Sequence, residues 1–159
     1  MASRYDLRRA VRHLAPGEQM DFPTEVRDAI PSGCLLDVLG IEPTHAGPGA
    51  ATARMRIGEH HLNQTGVAQG GAVAALADAV AGWATFGLLD EGNLFTTLEM
   101  HTNLIRAVRP GDTLIAVASP VHTGRTTCVL EVLVSLLEDG VPTRTVARFS
   151  CTQLVLQER

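Results

Sequence analysis

From Gly66 to Leu89 the chain is a run of glycine, alanine and large apolar side chains, broken only by Gln69, Asp78 and Thr85. Val73, Leu76, Val80 and Trp83 recur at i, i+3, i+7 and i+10, a stripe that predicts one long helix packed on a sheet. Asp78 lies about 200° around that helix from Leu76 and so points away from the stripe. Its neighbours at three, four and seven residues are Gly71, Ala74, Ala75, Ala81, Gly82 and Thr85, all small. An acid ringed by small residues leaves room for a second chain or a ligand, and burial among alanines should raise its pKa.

Elsewhere the pattern changes period. Tyr5, Leu7, Val11 and Leu14 fall at near-helical spacing and predict an amphipathic helix ending before Pro16, with Arg4, Arg8, Arg9 and Arg12 as a solvated face. Past Gly47-Pro48-Gly49, Ala51, Ala53, Met55 and Ile57 alternate with Thr52, Arg54 and Arg56, which predicts a half-buried strand. Glu91-Gly92-Asn93 then breaks the long helix, and strand patterns follow at 95–107, 111–122, 125–138 and 142–156. Pro110-Gly111-Asp112, Thr123-Gly124 and Asp139-Gly140 read as hairpin turns between them. In the third segment Cys128, Leu130, Val132, Val134 and Leu136 form an apolar face. Val129 and Leu133 interrupt the polar face of Thr127, Glu131 and Ser135, so a second protein surface is expected to cover part of it. The resulting class is α+β, one long helix against a five- or six-stranded antiparallel meander.

Composition narrows the partners. A chain of 159 residues that is 45% hydrophobic suits one domain. A net charge of −4 and a pI near 5.8 argue against nucleic acid or an anionic membrane as the main partner. Placing Asp78 mid-bilayer would cost roughly 3 kcal/mol, so the long helix reads as buried in protein. Cys34, Cys128 and Cys151 are scattered without a C-x-x-C pair, indicating neither a disulfide framework nor a zinc site. With no apolar segment after the N-terminal arginines to act as a secretory signal, a cytoplasmic location is expected. His60 and His61 are adjacent, so loop histidines with diverging side chains are expected, and no metal site.

The candidate chemistry sits at the two ends of one helical segment. Gln69-Gly70-Gly71 opens the helix, where first-turn N–H groups lack intrahelical partners and glycine admits a foreign atom close to the backbone. Such an end can hold a developing oxyanion. Gly70 and Asp78 are eight residues apart, about 12 Å along the axis, too far for one carbonyl to touch both in one chain. If the two cooperate, a second helix must run antiparallel beside the first, which predicts a homodimer with two shared sites.

The segment His61–Asp78, HLNQTGVAQGGAVAALAD, resembles the signature H-x-N-x-x-G-x-x-H-G-G-x-x-x-x-x-x-D of hot-dog-fold acyl-CoA thioesterases. The likeness is to the phenylacetate-pathway group and its 4-hydroxybenzoyl-CoA thioesterase relatives, and covers roughly residues 31–156. It implies a hot-dog domain over 31–159 behind an N-terminal helical extension over 1–30. It further implies dimers pairing into tetramers, acyl-CoA as substrate, no cofactor, and thioester hydrolysis between subunits. By position, Asp78 would be the nucleophile or general base, Gly70 the N–H donor to the thioester carbonyl, and Asn63 a group orienting substrate or water. Gln69 stands where the family has histidine; its amide can still donate a hydrogen bond but cannot become cationic. Gly82 replaces a threonine that some relatives carry. Gly71, Thr96 and Thr97 would face substrate, and Arg106, Arg109 and Arg125 the phosphates of coenzyme A. A hot-dog hydratase or dehydratase would want a histidine working with the acid, and a noncatalytic acyl-CoA or lipid binder would keep the fold without the chemistry. A serine hydrolase is disfavoured by the lack of a G-x-S-x-G elbow.

Overall fold

The computed structural model describes residues 6–15 and 17–157. Its centre is helix α4, Gly70–Leu88. Ahead of it come α1 (Asp6–Val11), β1 (Met20–Asp21), α2 (Thr24–Arg27), α3 (Leu35–Val38), β2 (Ile41–Gly47) and β3 (Ala50–Arg56). After it come β4 (Leu94–Leu104), β5 (Thr113–Thr123), β6 (Thr127–Glu138) and β7 (Val141–Leu156). The α+β layout predicted from the sequence is therefore present. The seven strands form one antiparallel sheet in the order β1-β2-β3-β5-β6-β7-β4. The strand beyond the expected five or six is β1, two residues that pair with Ala46 and His45 of β2.

The α4 stripe behaves as its spacing dictates. Val73, Leu76 and Val80 are buried, together with Ala72, Ala77, Ala81 and Ala84, against the inward faces of β3, β5, β6 and β7. Those faces supply Ala51, Ala53 and Met55, then Leu114, Ala116 and Ala118, then Cys128, Leu130, Val132, Val134 and Leu136. The many alanines on both sides let helix and sheet approach closely. Trp83, half-buried, packs against this core and also against a second cluster, edge-on to Phe22 with ring centroids 5.3 Å apart.

The meander expected after the helix forms over β5, β6 and β7, which pair in sequence order across the Thr123-Gly124 and Asp139-Gly140 turns, but β4 does not join it as expected. β4 pairs with β7, Thr97 opposite Gln153 and Met100 opposite Cys151, while β5 pairs with β3 and β6. The segment around Pro110-Gly111-Asp112 is thus a crossover. It is tied down where Val108 carbonyl accepts the Ala68 N–H at 2.9 Å and Asp112 carbonyl accepts the Ile57 N–H at 2.9 Å. The other two turns join neighbouring strands as expected, and only across Pro110-Gly111-Asp112 does adjacency in sequence not decide pairing. β4 is left hydrogen-bonded on one side only, an eleven-residue edge.

The N-terminal prediction also needs correction. α1 ends at Val11 with Leu14 in an irregular bend, and Tyr5, Arg4 and Pro16 lie outside the described residues. Arg8 is not on a solvated face: it is 6% exposed, and its guanidinium donates to the carbonyls of Asp90, in a short contact, and Asn93, at 2.9 Å. It thereby satisfies carbonyls just past the C-terminal end of α4, where positive charge is favoured. Arg8→Ala is expected to lower the unfolding free energy by about 1–3 kcal/mol, measured by urea denaturation.

Candidate active site

The N-terminal end of α4 is set by the loop before it. Asn63 N–H donates to Val67 carbonyl at 2.8 Å, and Asn63 Oδ1 accepts from both the N–H and the hydroxyl of Thr65, at 2.8 and 2.7 Å. That carboxamide oxygen therefore shapes its own loop, the Asx-type use that short amides favour. Gln69 occupies the N-cap in an extended conformation, φ −62° and ψ 132°, exposed and with no side-chain capping bond among the described residues. Gly70 follows beside a cavity of about 210 Å³ lined by Ala68, Val73 and the crossover from Leu104 to Val108. A Cβ added at Gly70 would run into the Leu104 side chain.

Asp78 lies on the side of α4 that faces the open edge. Gly70 against Leu104 and Gly82 against Phe95, whose ring is 3.5 Å from a Cβ built on Gly82, place β4 along this flank of the helix. Asp78 falls about 80° from Gly70 and 40° from Gly82 around the axis. Ala74, Ala75 and Gly82 around it are half-buried and Gly71 is exposed, whereas Ala81 and Thr85 are fully buried. Thr85, whose hydroxyl donates to Ala81 carbonyl at 2.9 Å, thus belongs to the core and not to the open ring. Burial pushes the Asp78 carboxyl above its ordinary value.

Beneath this flank runs a polar chain that sequence reasoning missed. Thr97 hydroxyl donates to Gln153 Oε1 at 2.9 Å, and Gln153 Nε2 donates to Cys151 Sγ at 3.3 Å, with Gln153 and Cys151 both buried. Burial pushes the Cys151 thiol up to about 11, and the charge of Asp78 adds to that rise. Gln153 alternates in phase with Phe149 and Cys151 along β7, so its inward placement was readable from period; its partner across the sheet was not.

The other candidates divide by location. Arg106 lines the cavity at Gly70. Arg109 sits in the crossover, its N–H donating to Asp112 Oδ2 at 2.9 Å. Arg125 is at the opposite end of β5, about 33 Å away at the usual rise per strand residue, so one protomer does not bring it together with Arg106 and Arg109. Thr96 is exposed, on the sheet face opposite Thr97. His60 and His61 do not diverge: their ring centroids are 3.9 Å apart, and His61 is buried. Among the described residues no group of three or more His, Cys, Asp or Glu could hold a metal ion.

A long helix cupped by an antiparallel sheet, its glycine-rich N-terminal end and one acid turned to the same open edge, is the hot-dog architecture of thioesterases. A thioesterase from Haemophilus influenzae matches it with a TM-score of 0.76 at 26% identity, over 87% of this chain and 93% of that one. A Streptococcus mutans protein solved bound to acetyl-CoA matches with a TM-score of 0.66 at 27% identity, over 75% and 90%. In sequence, the proofreading thioesterase EntH of Cronobacter turicensis is 30% identical over 110 residues, 69% of this chain and 80% of its own. The thioesterase superfamily model matches residues 65–143. The chain belongs to the thioesterase superfamily.

Proposed function

We propose that this protein hydrolyses acyl-CoA thioesters at two equivalent sites, each made by Asp78 of one subunit and the α4 N-terminal end of its antiparallel partner. The observation that carries this reading is that a desolvated acid and the glycine helix start share one open flank of α4 yet lie about 12 Å apart along it. A two-fold axis passing beside Ala74, midway between residues 70 and 78, pairs each acid with the other chain's Gly70. Gly71, Ala74 and Ala75 are small enough there for the helices to reach the close end of the usual 8–10 Å, about the spacing such packing allows.

The edge strand supports the same assembly. Natural proteins blunt long free edges, yet β4 presents Leu98, Met100 and Leu104, with Ile105 just beyond, all 52–58% exposed. Pairing β4 with its symmetry mate would cover them and extend the sheet across the dimer. On the sheet face away from α4, a groove of about 530 Å³ lined by Ile115, Val117 and Leu133 would suit a second dimer.

In the site so formed, the Gly70 N–H of one subunit polarises the thioester carbonyl and Asp78 of the other either attacks it or takes a proton from the attacking water. When water attacks, collapse of the tetrahedral intermediate expels the thiolate, which takes up the proton Asp78 removed and leaves as the thiol, with the acyl group released as the acid. When Asp78 attacks, expulsion leaves an Asp78–acyl anhydride, which water then cleaves to the acid and the regenerated carboxylate, its proton going to the thiolate. Coenzyme A as the thiol draws support from the acetyl-CoA-bound Streptococcus mutans relative and from Arg106 beside Gly70. The test is thiol release from a panel of aliphatic and aryl acyl-CoAs. Hydrolysis of at least one is expected. Tighter folding with acyl-CoA but no thiol release would make the protein a binding module, and water addition to enoyl-CoA would make it a hydratase.

A further inference from the structure

The loop that delivers the chain to Gly70 is held by one buried imidazole. His61 ends the 3-10 turn Glu59–His61 and is 2% exposed, with the exposed His60 ring against it. Its Nδ1 accepts the Gly58 N–H at 2.9 Å, and its Nε2 lies 2.9 Å from the carbonyl oxygen of Leu39. A backbone N–H can only donate and a carbonyl can only accept, so the two partners fix the ring as neutral with the hydrogen on Nε2. The doubly protonated ring would set Nδ1–H against the Gly58 N–H.

The same residue holds the helix start through its main chain, because His61 carbonyl accepts the Gln69 N–H at 2.7 Å. His61 thus joins three segments: the C-terminal end of α3 at Leu39, the end of the β3 run at Gly58, and the N-cap of α4. Among the described residues Gln69 makes no side-chain capping bond, so this main-chain bond, together with that from Ala68 N–H to Val108 carbonyl, holds the direction in which the next N–H groups point. From these bonds we infer that His61 is a positioning residue, acting on catalysis only through the orientation of Gly70. The inference rests on the thioesterase reading above.

Three variants separate its parts. His61→Asn keeps an acceptor near the Nδ1 position, His61→Gln keeps a donor near the Nε2 position, and His61→Leu keeps bulk alone. With helix-start donors misaimed, kcat in His61→Leu is expected to fall roughly 10- to 100-fold, because small misplacements of catalytic groups cost that much. KM should stay within about threefold, the signature of an interaction made in the transition state. The Asn and Gln variants should fall between, and Gln69 amide exchange should quicken in the same order. A folded His61→Leu protein with wild-type kcat, or with unchanged Gln69 exchange, would overturn the inference. If the Leu variant does not fold, wild-type kcat and exchange in both polar variants would do so. Wild-type protein that releases no thiol contradicts the hydrolase reading instead, and Gln69 exchange in the variants still decides the clamp.

Discussion

Asp78→Asn is expected to lower kcat for thioester hydrolysis by about 10²- to 10⁴-fold, the usual worth of a positioned base, while leaving the oligomer intact. Asparagine keeps the size and one oxygen of aspartate but can neither accept the water proton nor form a mixed anhydride. The same change should raise the thermal midpoint at neutral pH. Burial holds the Asp78 pKa above its ordinary value, so the native state binds this proton more tightly than the unfolded chain. Between the ordinary and the raised value, this group's contribution to stability falls as pH rises. Above both, the desolvated carboxylate is a constant cost that asparagine lacks. The stability gap between variant and wild type should therefore narrow as pH drops through the raised pKa. For the wild type, kcat/KM should fall on acidification at a pH above that of an ordinary aspartate, and that acid limb should be absent from any residual activity of the variant.

Gly70→Pro is expected to cost about 10²- to 10³-fold in kcat, the loss typical of removing one oxyanion donor. Proline is tolerated at the first helical position, where its missing N–H breaks no intrahelical bond. The residue before it must be extended, and Gln69 already is, at φ −62° and ψ 132°. A Cβ at this position meets the Leu104 side chain, a collision that an alanine at the same position reproduces. The variant thus deletes a donor while retaining the helix, as circular dichroism and an unchanged oligomer would verify. A Gly70→Ala control, which keeps the N–H and adds the same collision, should retain most of the activity.

What the sequence made legible follows from range. The α4 stripe, the β3 alternation and the Cys128–Leu136 face depend on periodicity within one element, and their apolar positions are buried as spacing requires except Trp83, which is half-buried, while Thr52 on the polar side of β3 is buried too. Pairing between elements is a long-range matter, so β4 was assigned to its sequence neighbour although it bonds to β7. Arg8 reads as a surface charge until Asp90 and Asn93, more than eighty residues on, offer it two carbonyls. For the site, the small ring about Asp78 and the glycine helix start were visible in 24 residues of sequence because one helix carries both. Thr97, Gln153 and Cys151 were not seen as a unit, since only the β4–β7 register brings them together. His61 passed as a loop residue because its partners, Leu39 and Gly58, belong to other segments.

Subunit sharing is the claim on which the rest depends, and complementation tests it directly. Asp78→Asn and Gly70→Pro chains, each inactive alone, would be co-expressed in equal amounts under different tags and assayed for thiol release. With shared sites, half the dimers are mixed and each mixed dimer restores one of its two sites, so the rate should recover to about one quarter of wild type. Recovery no greater than the average of the two single variants, in a preparation shown to contain mixed dimers, would contradict the shared site.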